Sequence, residues 1–592
     1  MSKNIILIAT WGDPKRWESV RYKMFKIPSE LKYTLESMTE EQYFESKSTT
    51  SALARCVFEK KCIDDYSDLK IIVIVSETLV NPDKIDGQDT DLLRMIRDSV
   101  SDSIKVYIKS DDYFGEKLYD KVDLIVAPGI GFIEAEGVEF RCNIDNYITY
   151  VFKELIEKTV FVNYIPDYIL LDISHGINYM PVATLNIIKE FADIIALMKQ
   201  ILNVEDKSVG VIIVNSDPYI PSRGASRGDY AKDKPVLNIG TVLIDKLDAK
   251  NIIQRVYEEI YSYNYEKIRF KYSRKPKDVK FRETLESTLK EHIDSAKMIV
   301  RWLRQGLLLP AYYEIRDLCK RYQMKEKQNF QNINVFMNDI KKIFNDVTIF
   351  MDQNADYVYE KSLSEQERSQ HYQRKSVRLK VYRYAIIDQK TLPMFFKSFL
   401  VSYNIMKEFC GSYDLYENEN LIDLDFLNKL TKHISIEGLR RIAENEIEDI
   451  RYRVRLASLL SEDFLREKIF RYRMIYDFID EIRKLLLIGD RDLSDRINIL
   501  RDEKISSKEL ENLKNILLNK ISYDDINRII NDLLKKYVDK DCNFDIRNFF
   551  AHASFEKNIT MIRIVRKDSD VKIYLGYSSE CLDNIRKRIK DV

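Results

Sequence analysis

No sign of charge dominates this 592-residue chain. Its 95 Lys and Arg balance 95 Asp and Glu. That excludes a global basic field, so any nucleic-acid surface has to be a local patch. Cysteine is sparse: Cys56, Cys62, Cys142, Cys319, Cys410, Cys542 and Cys581 are scattered, odd in number and free of any C-x-x-C pair. Such a set argues against a zinc site or a disulfide framework and for a reducing cytoplasm. Long apolar runs are missing too. Ile5–Ala9 falls far short of the ~18 residues of a membrane span, and it leads straight into Trp11-Gly12-Asp13-Pro14, which is poor for a signal peptide. The expectation is a cytoplasmic protein with no membrane association. Neither G-x-G-x-x-G opening a helix nor a Walker A motif occurs, which disfavours nicotinamide- or ATP-driven chemistry.

Loop-forming residues are unevenly spread. Eleven of sixteen glycines precede residue 241, ten of twelve prolines precede residue 277, and none follows Pro393. The second half therefore reads as long helices. At this length two or more domains are expected. The boundaries predicted are an α/β domain at 1–261, a basic connector at 262–282 and a helical domain at 283–592, with an insertion around 322–376.

In the first part, short apolar runs read as strands buried on both faces: Ile5–Ala9, Ile71–Val75, Ile104–Ile108, Leu124–Ala127, Ile169–Asp172 and Val209–Val214, with Leu237–Asp245 as a further strand at an edge. Helical patterns at Ser51–Lys61 and Val182–Gln200 lie between several of them. The expected fold is a Rossmann-like, doubly wound parallel sheet. Ligands of such sheets sit beyond the carboxyl ends of the strands. Those ends carry Thr10-Trp11-Gly12 and Ser174-His175-Gly176-Ile177-Asn178. Glycine permits close backbone approach, free helix N-terminal N–H groups suit phosphate, and Trp11 offers a ring for a base. His175, with Asp172 three residues earlier, reads better as a ligand contact than as half of a metal site. Ser48-Thr49-Thr50-Ser51 reads first as a helix cap.

The stretch from Tyr263 to Arg282 interleaves basic residues with rings and reads first as a solvated linker with anchoring aromatics. Residues 437–488 give charged, periodic helices with many arginines, read as a solvated face. Ile559–Val565 and Val571–Tyr574 form a hairpin pattern, and a last helix runs Ser579–Lys590.

Asp545-Ile546-Arg547-Asn548-Phe549-Phe550-Ala551-His552 combines a base near neutral pH, a permanent cation and an amide in an otherwise apolar segment. Imidazole can take a proton from an RNA 2′-OH, and guanidinium can neutralise charge on a phosphorane. Asn548 and His552 share a helix face, whereas Arg547 and His552 lie about 140° apart on an ideal helix. One motif per chain is then an incomplete site, completed by a second chain across a two-fold axis. The bland alternative is that Arg547 pairs with Asp545 or Glu556 and His552 is a satisfied helix residue.

Three features together carry a resemblance: Ile5–Ala9 running into Thr10-Trp11-Gly12-Asp13-Pro14, Leu171-Asp172-Ile173-Ser174-His175-Gly176-Ile177-Asn178-Tyr179-Met180-Pro181, and Arg547-Asn548-x-x-x-His552. The chain resembles the CRISPR-associated CARF–HEPN ribonucleases, accessory effectors of type III CRISPR systems. The resemblance implies a homodimer or higher even oligomer whose CARF domain binds cyclic oligoadenylate. It also implies a metal-independent, cofactor-free endoribonuclease cutting single-stranded RNA in antiviral defence, with no stable complex with the interference complex required. Cyclic tetra-adenylate is the activator it suggests. The implied messenger contacts are Thr10, Trp11, Gly12, Ser174, His175, Gly176 and Asn178, and the implied catalytic residues are Arg547, Asn548 and His552. A messenger sensor without nuclease activity, controlling a partner, is the alternative.

Overall fold

The computed structural model describes residues 3–24, 42–59, 66–85, 91–111, 113–133, 137–177, 179–218, 234–271, 274–321, 333–359, 379–409, 421–434, 436–461, 469–486, 493, 497, 500, 506–537, 546–567 and 570–589. Asn178, Asp545, most of the loop following Asp217, and 322–332 and 360–376 lie outside that set. The chain divides into two compact units: residues 1–294 with 332–401, and residues 295–331 with 402–592. This differs from the linear boundary read from the sequence, because residues 262–294 and 332–401 belong to the first unit.

The first unit is built on strands β1 (Lys3–Thr10), β2 (Val20–Lys23), β3 (Tyr43–Ser46), β4 (Tyr66–Ser76), β5 (Val122–Ala127), β6 (Gly131–Ile133), β7 (Val138–Arg141), β8 (Tyr168–Asp172), β9 (Val209–Ser216) and β10 (Val236–Leu247). Its helices in this stretch are α1 (Thr49–Phe58), α2 (Leu92–Ser110), α3 (Ile144–Lys158), α4 (Tyr179–Ile201) and α5 (Ala249–Ser262). Eight strands form one sheet in the order β3-β2-β10-β9-β8-β1-β4-β5. The centre is parallel: β1 pairs with β4 and β8, β4 with β5, and β8 with β9. Ile5 to Ala9 and Ile71 to Val75 are fully buried, as strands covered on both faces require. β10 runs antiparallel to β9 and pairs with β2 on its other side, so it is an interior strand and the sheet is mixed.

One expected strand is a helix. Ile104–Ile108 lies in the last turns of α2, where Ile96, Val100, Ile104 and Ile108 are buried. Their four-residue spacing is the period of a helix face, and it outweighs the β-branched run at its end.

The extra residues of the first unit are tied in by pairing. β11 (Arg269–Phe270) pairs with β14 (Ala385–Ile386), and β12 (Ala355–Tyr359) with β13 (Leu379–Arg383), which adds parallel to β7. The basic stretch is used locally: Lys277 reaches Asp356 at 3.1 Å, and the Arg274 and Arg282 guanidiniums lie over Tyr384 and Phe270.

The second unit, described by itself, is mainly helical, with helices at Leu308–Arg321, Glu437–Leu460, Tyr472–Leu486, Ser507–Leu518, Tyr523–Tyr537, Ile546–Ala551 and Ser579–Ile589 among others. The C-terminal hairpin is present as Met561–Lys567 and Asp570–Gly576, flanked by Leu421–Asp423 and Ile469–Arg471 in a four-stranded sheet. Two arginines expected on a solvated face are buried: Arg451 bonds Asp425, and Arg453 bonds Asp449 and Asp480. Cys56, Cys319 and Cys581 are disulfide-bonded, against the expectation of no disulfides, while Cys142 is a free thiol. Sequence spacing alone does not reveal which sulfurs a fold brings together. Among the described residues no helix is long and apolar enough to cross a membrane.

Candidate functional site

Strand order reverses between β1 and β8, and there the two glycine-bearing loops meet. A Cβ on Gly12 would lie 3.8 Å from the Gly176 backbone. Gly176 itself has φ +126°, and a Cβ on it would meet the Thr10 hydroxyl at 2.8 Å, so both conformation and space demand glycine. Thr10 is fully buried and donates its Oγ1–H to the His175 carbonyl at 2.6 Å. The threonine thus supports the second loop from below.

Trp11 is not a stacking platform. It is completely buried, its Nε1 donates to Thr50 Oγ1 at 2.9 Å, and it packs edge-on against Trp17 and Tyr107. Thr50 in turn donates to Asp172 Oδ2 at 2.6 Å, while Oδ1 accepts the Ser174 N–H at 3.0 Å. Both Asp172 oxygens are therefore committed inside the fold, which removes the metal-pair reading with His175. Ser48 caps α1 by accepting the Ser51 N–H, as its pattern suggested.

His175 lies flat against Trp17, ring centroids 4.2 Å apart at 29°. Its Nε2 accepts the Thr49 N–H at 3.3 Å, so the neutral ring carries its proton on Nδ1. Burial pushes its pKa below the ordinary value, against the opposing pull of Asp172. His175 thereby takes one of the N-terminal N–H groups of α1.

Above these loops is a cavity of about 780 Å³, within the ~300–1,000 Å³ of ligand sites. Ser174, His175 and Gly176 line it, together with Trp17, Tyr22, Lys47, Asn215 and Asp217. Thr10, Trp11 and Gly12 do not line it. Sequence reasoning missed Trp17, on the connection from β1 to β2, and Lys47, between β3 and α1. The one available signal was Trp17 itself, one of three tryptophans.

In the second unit, Arg547, Asn548 and His552 sit on the short helix Ile546–Ala551 and its end. Phe549 is fully buried and anchors the helix, leaving Arg547 and Asn548 exposed. The His552 N–H donates to the Asn548 carbonyl at 3.0 Å, so these two share a face as expected. The helix closes at His552: Ser554 N–H reaches the Phe549 carbonyl and Ala553 N–H that of Phe550. This is the Schellman pattern, with His552 at the C-cap. Ala553 and Ser554 have φ of 47° and 75°, unusual for residues with side chains. The turn is held by the Ser554 hydroxyl, which accepts the Leu309 N–H at 3.1 Å, and by Tyr577 OH, which donates to the Ser554 carbonyl.

His552 Nδ1 lies 2.9 Å from Glu446 Oε1, on the helix Glu437–Leu460. The Glu556 carboxylate instead accepts two N–H bonds from Asn558, and burial raises its pKa. Glu446 was invisible to sequence reasoning because 106 residues separate it from His552.

A doubly wound sheet with a ligand-sized cavity at its switch point, joined in one chain to a helical unit bearing Arg547, Asn548 and a carboxylate-paired His552, defines a class of two-part proteins. Residues 6–218 match the family model described as CRISPR system endoribonuclease Csx1, CARF domain, and residues 501–580 match the one described as CRISPR system endoribonuclease Csx1, HEPN domain. A curated relative, the CRISPR system endoribonuclease Csx1 of Methanocaldococcus jannaschii, is 26% identical over 244 residues, 40% of each chain. The match thus spans about two fifths of that relative's length. Both parts of the chain are thus similar to CRISPR-associated proteins, one to a CARF domain and the other to a HEPN domain, which supports a CARF–HEPN family assignment.

Proposed function

We propose that the chain is a metal-independent endoribonuclease of type III CRISPR antiviral defence, activated by cyclic oligoadenylate and cutting single-stranded RNA. The observation that carries this reading is His552, half exposed at a helix end, with Nδ1 held by Glu446 and with Arg547 and Asn548 on the same short helix. In the reaction the RNA 2′-oxygen attacks phosphorus and the P–O5′ bond breaks. The proton leaves O2′ for a base and returns to O5′ from an acid, giving a 2′,3′-cyclic phosphate and a 5′-OH. Imidazole serves for both transfers, and the Arg547 guanidinium neutralises the charge developing on the non-bridging oxygens. The nucleophile belongs to the RNA, so neither water nor a metal is required and DNA is not cut.

The cavity over Ser174, His175 and Gly176 is the proposed messenger site, with Trp17 and Lys47 as a ring and a cation for an adenine nucleotide. Two chains across a two-fold axis would place two Arg547 and two His552 around one phosphate, matching the symmetry of a cyclic ligand. Activation is then a shift toward the dimer arrangement the messenger binds better.

The test is cleavage of end-labelled single-stranded RNA by the full chain in EDTA, with and without cyclic tetra-adenylate, with analysis of product ends. Stimulated cleavage leaving cyclic phosphate ends supports the reading. A strict metal requirement or 5′-phosphate ends contradicts the mechanism, and messenger binding without cleavage identifies a sensor instead.

A further inference from the structure

The geometry points to Glu446 as the residue that positions His552 for catalysis, setting which ring nitrogen faces the RNA. The inference rests on the nuclease reading above and adds a member that no motif contains.

A carboxylate at 2.9 Å from Nδ1 accepts a hydrogen bond, so the neutral ring has to hold its proton on Nδ1 and keep its lone pair on Nε2. Among the described residues Nε2 has no partner, and the side chain is 44% exposed against 22% for Glu446. Nε2 is then the nitrogen left for substrate, with the same division of labour as a base oriented by a third group. Without the carboxylate the imidazole is free to flip or adopt the other tautomer.

The surroundings fix the other two constraints. The Schellman turn with two left-handed residues sets where the His552 backbone stops, and the buried Phe549 fixes the helix rotation. Glu446 lies in the 24-residue helix Glu437–Leu460, so its backbone is not free to follow the ring. Two other carboxylates close to this pair make their hydrogen bonds elsewhere, although the charge of Glu556 still interacts with His552. Asp449, one turn further along the same helix, accepts from Arg453 and from the Tyr472 hydroxyl, and Glu556, after the turn, accepts from Asn558. Glu446 is therefore the carboxylate that meets the ring.

The test compares wild type, Glu446→Gln, Glu446→Asp and His552→Ala as full chains, with cyclic tetra-adenylate present and labelled single-stranded RNA as substrate. The expected result for Glu446→Gln is a fall in kcat of about 10- to 1,000-fold with KM within about 3-fold, the pattern of an interaction that matters in the transition state. Partial recovery in Glu446→Asp is expected. Nitrogen-15 NMR of labelled histidine, assigned by difference against His552→Ala, should show His552 as the Nδ1–H tautomer in wild type and as a tautomer mixture in Glu446→Gln. Wild-type kcat in Glu446→Gln, an Nε2–H tautomer in wild type, or loss of activity only in step with a lowered Tm would overturn the positioning role while leaving the nuclease reading standing. Full activity in His552→Ala would overturn both.

Discussion

Glu77 and Arg383 stand 306 residues apart in the chain and meet in a two-pronged, fully buried ion pair at 2.7 and 2.8 Å. Glu77 follows β4 directly, and its carboxylate also accepts from Arg97 and from the Gly129 N–H. Arg97 grips Asp352 through two further bonds. This cluster fastens residues 332–401 to the sheet.

Removing one partner from such a pair leaves a buried charge, at a cost of about 3–5 kcal/mol. Arg383→Met is expected to lower stability on that scale, softened by the Arg97 contact, and Glu77→Gln with Arg383→Met is expected to recover part of it. Denaturant unfolding of the single and double variants checks this. Additive losses would mean that the pair does not couple.

Lys397 offers a second test. Its buried ammonium lies within 2.8 Å of Glu190, Asp193 and Glu259, whose oxygens are close enough together to hold a metal ion. Burial alone would lower this lysine, but the three carboxylates outweigh it and hold its pKa well above the ordinary value. A raised pKa contributes stability in full below the unfolded value of about 10.4 and loses it as pH rises through the folded value. Thermal unfolding should thus show no loss from this group around neutrality and a decline only in strong alkali. Lys397→Met is expected to destabilise by about 3–5 kcal/mol, and millimolar Mn²⁺ is expected to restore part of the Tm. No Mn²⁺ response would show that the carboxylates separate without the lysine.

The two tryptophans at the sheet's switch point should behave oppositely. Trp17→Ala is expected to weaken cyclic tetra-adenylate binding about 10- to 100-fold, the scale of one lost base stack. Trp11→Phe, in the core, is expected to cost stability and leave Kd within about 3-fold, since Trp11 makes no wall of the cavity. Calorimetric titration of both variants decides it, and the reverse ranking would put the ligand elsewhere.

If the cavity takes the messenger, His175 gives binding a pH dependence. Its lowered pKa means that its share of the loop's stability is complete above the unfolded value of about 6.5 and is lost as pH falls through the folded value. Messenger affinity is expected to be flat above the ordinary histidine value of about 6.5 and to weaken in acid as the ring gains its proton, with His175→Asn flattening the acid limb. An unchanged acid limb in that variant would assign the dependence to another group.

The legible part of this chain was what short-range pattern encodes. Continuous apolar runs placed the central strands, and the glycine loops after β1 and β8 lie at the end of the sheet that carries the cavity. The i,i+4 spacing of Asn548 and His552 put them on one helix face, and the His552 N–H indeed bonds the Asn548 carbonyl. What failed depended on tertiary partners. Trp11 reads as a ring for a ligand until Thr50 is found on its Nε1, and Ile104–Ile108 reads as a strand until Ile96 and Val100 extend its face. Glu446, Trp17 and the Glu77–Arg383 clasp have no local signature, because each takes its meaning from a residue far along the chain.

The most direct test of the central claim is the initial rate of single-stranded RNA cleavage in EDTA with saturating cyclic tetra-adenylate, for wild type and His552→Ala of equal Tm. Wild type is expected to cleave without metal and the variant to lose at least about 100-fold, the low end for a general acid–base group. Equal rates for the two proteins would contradict the claim.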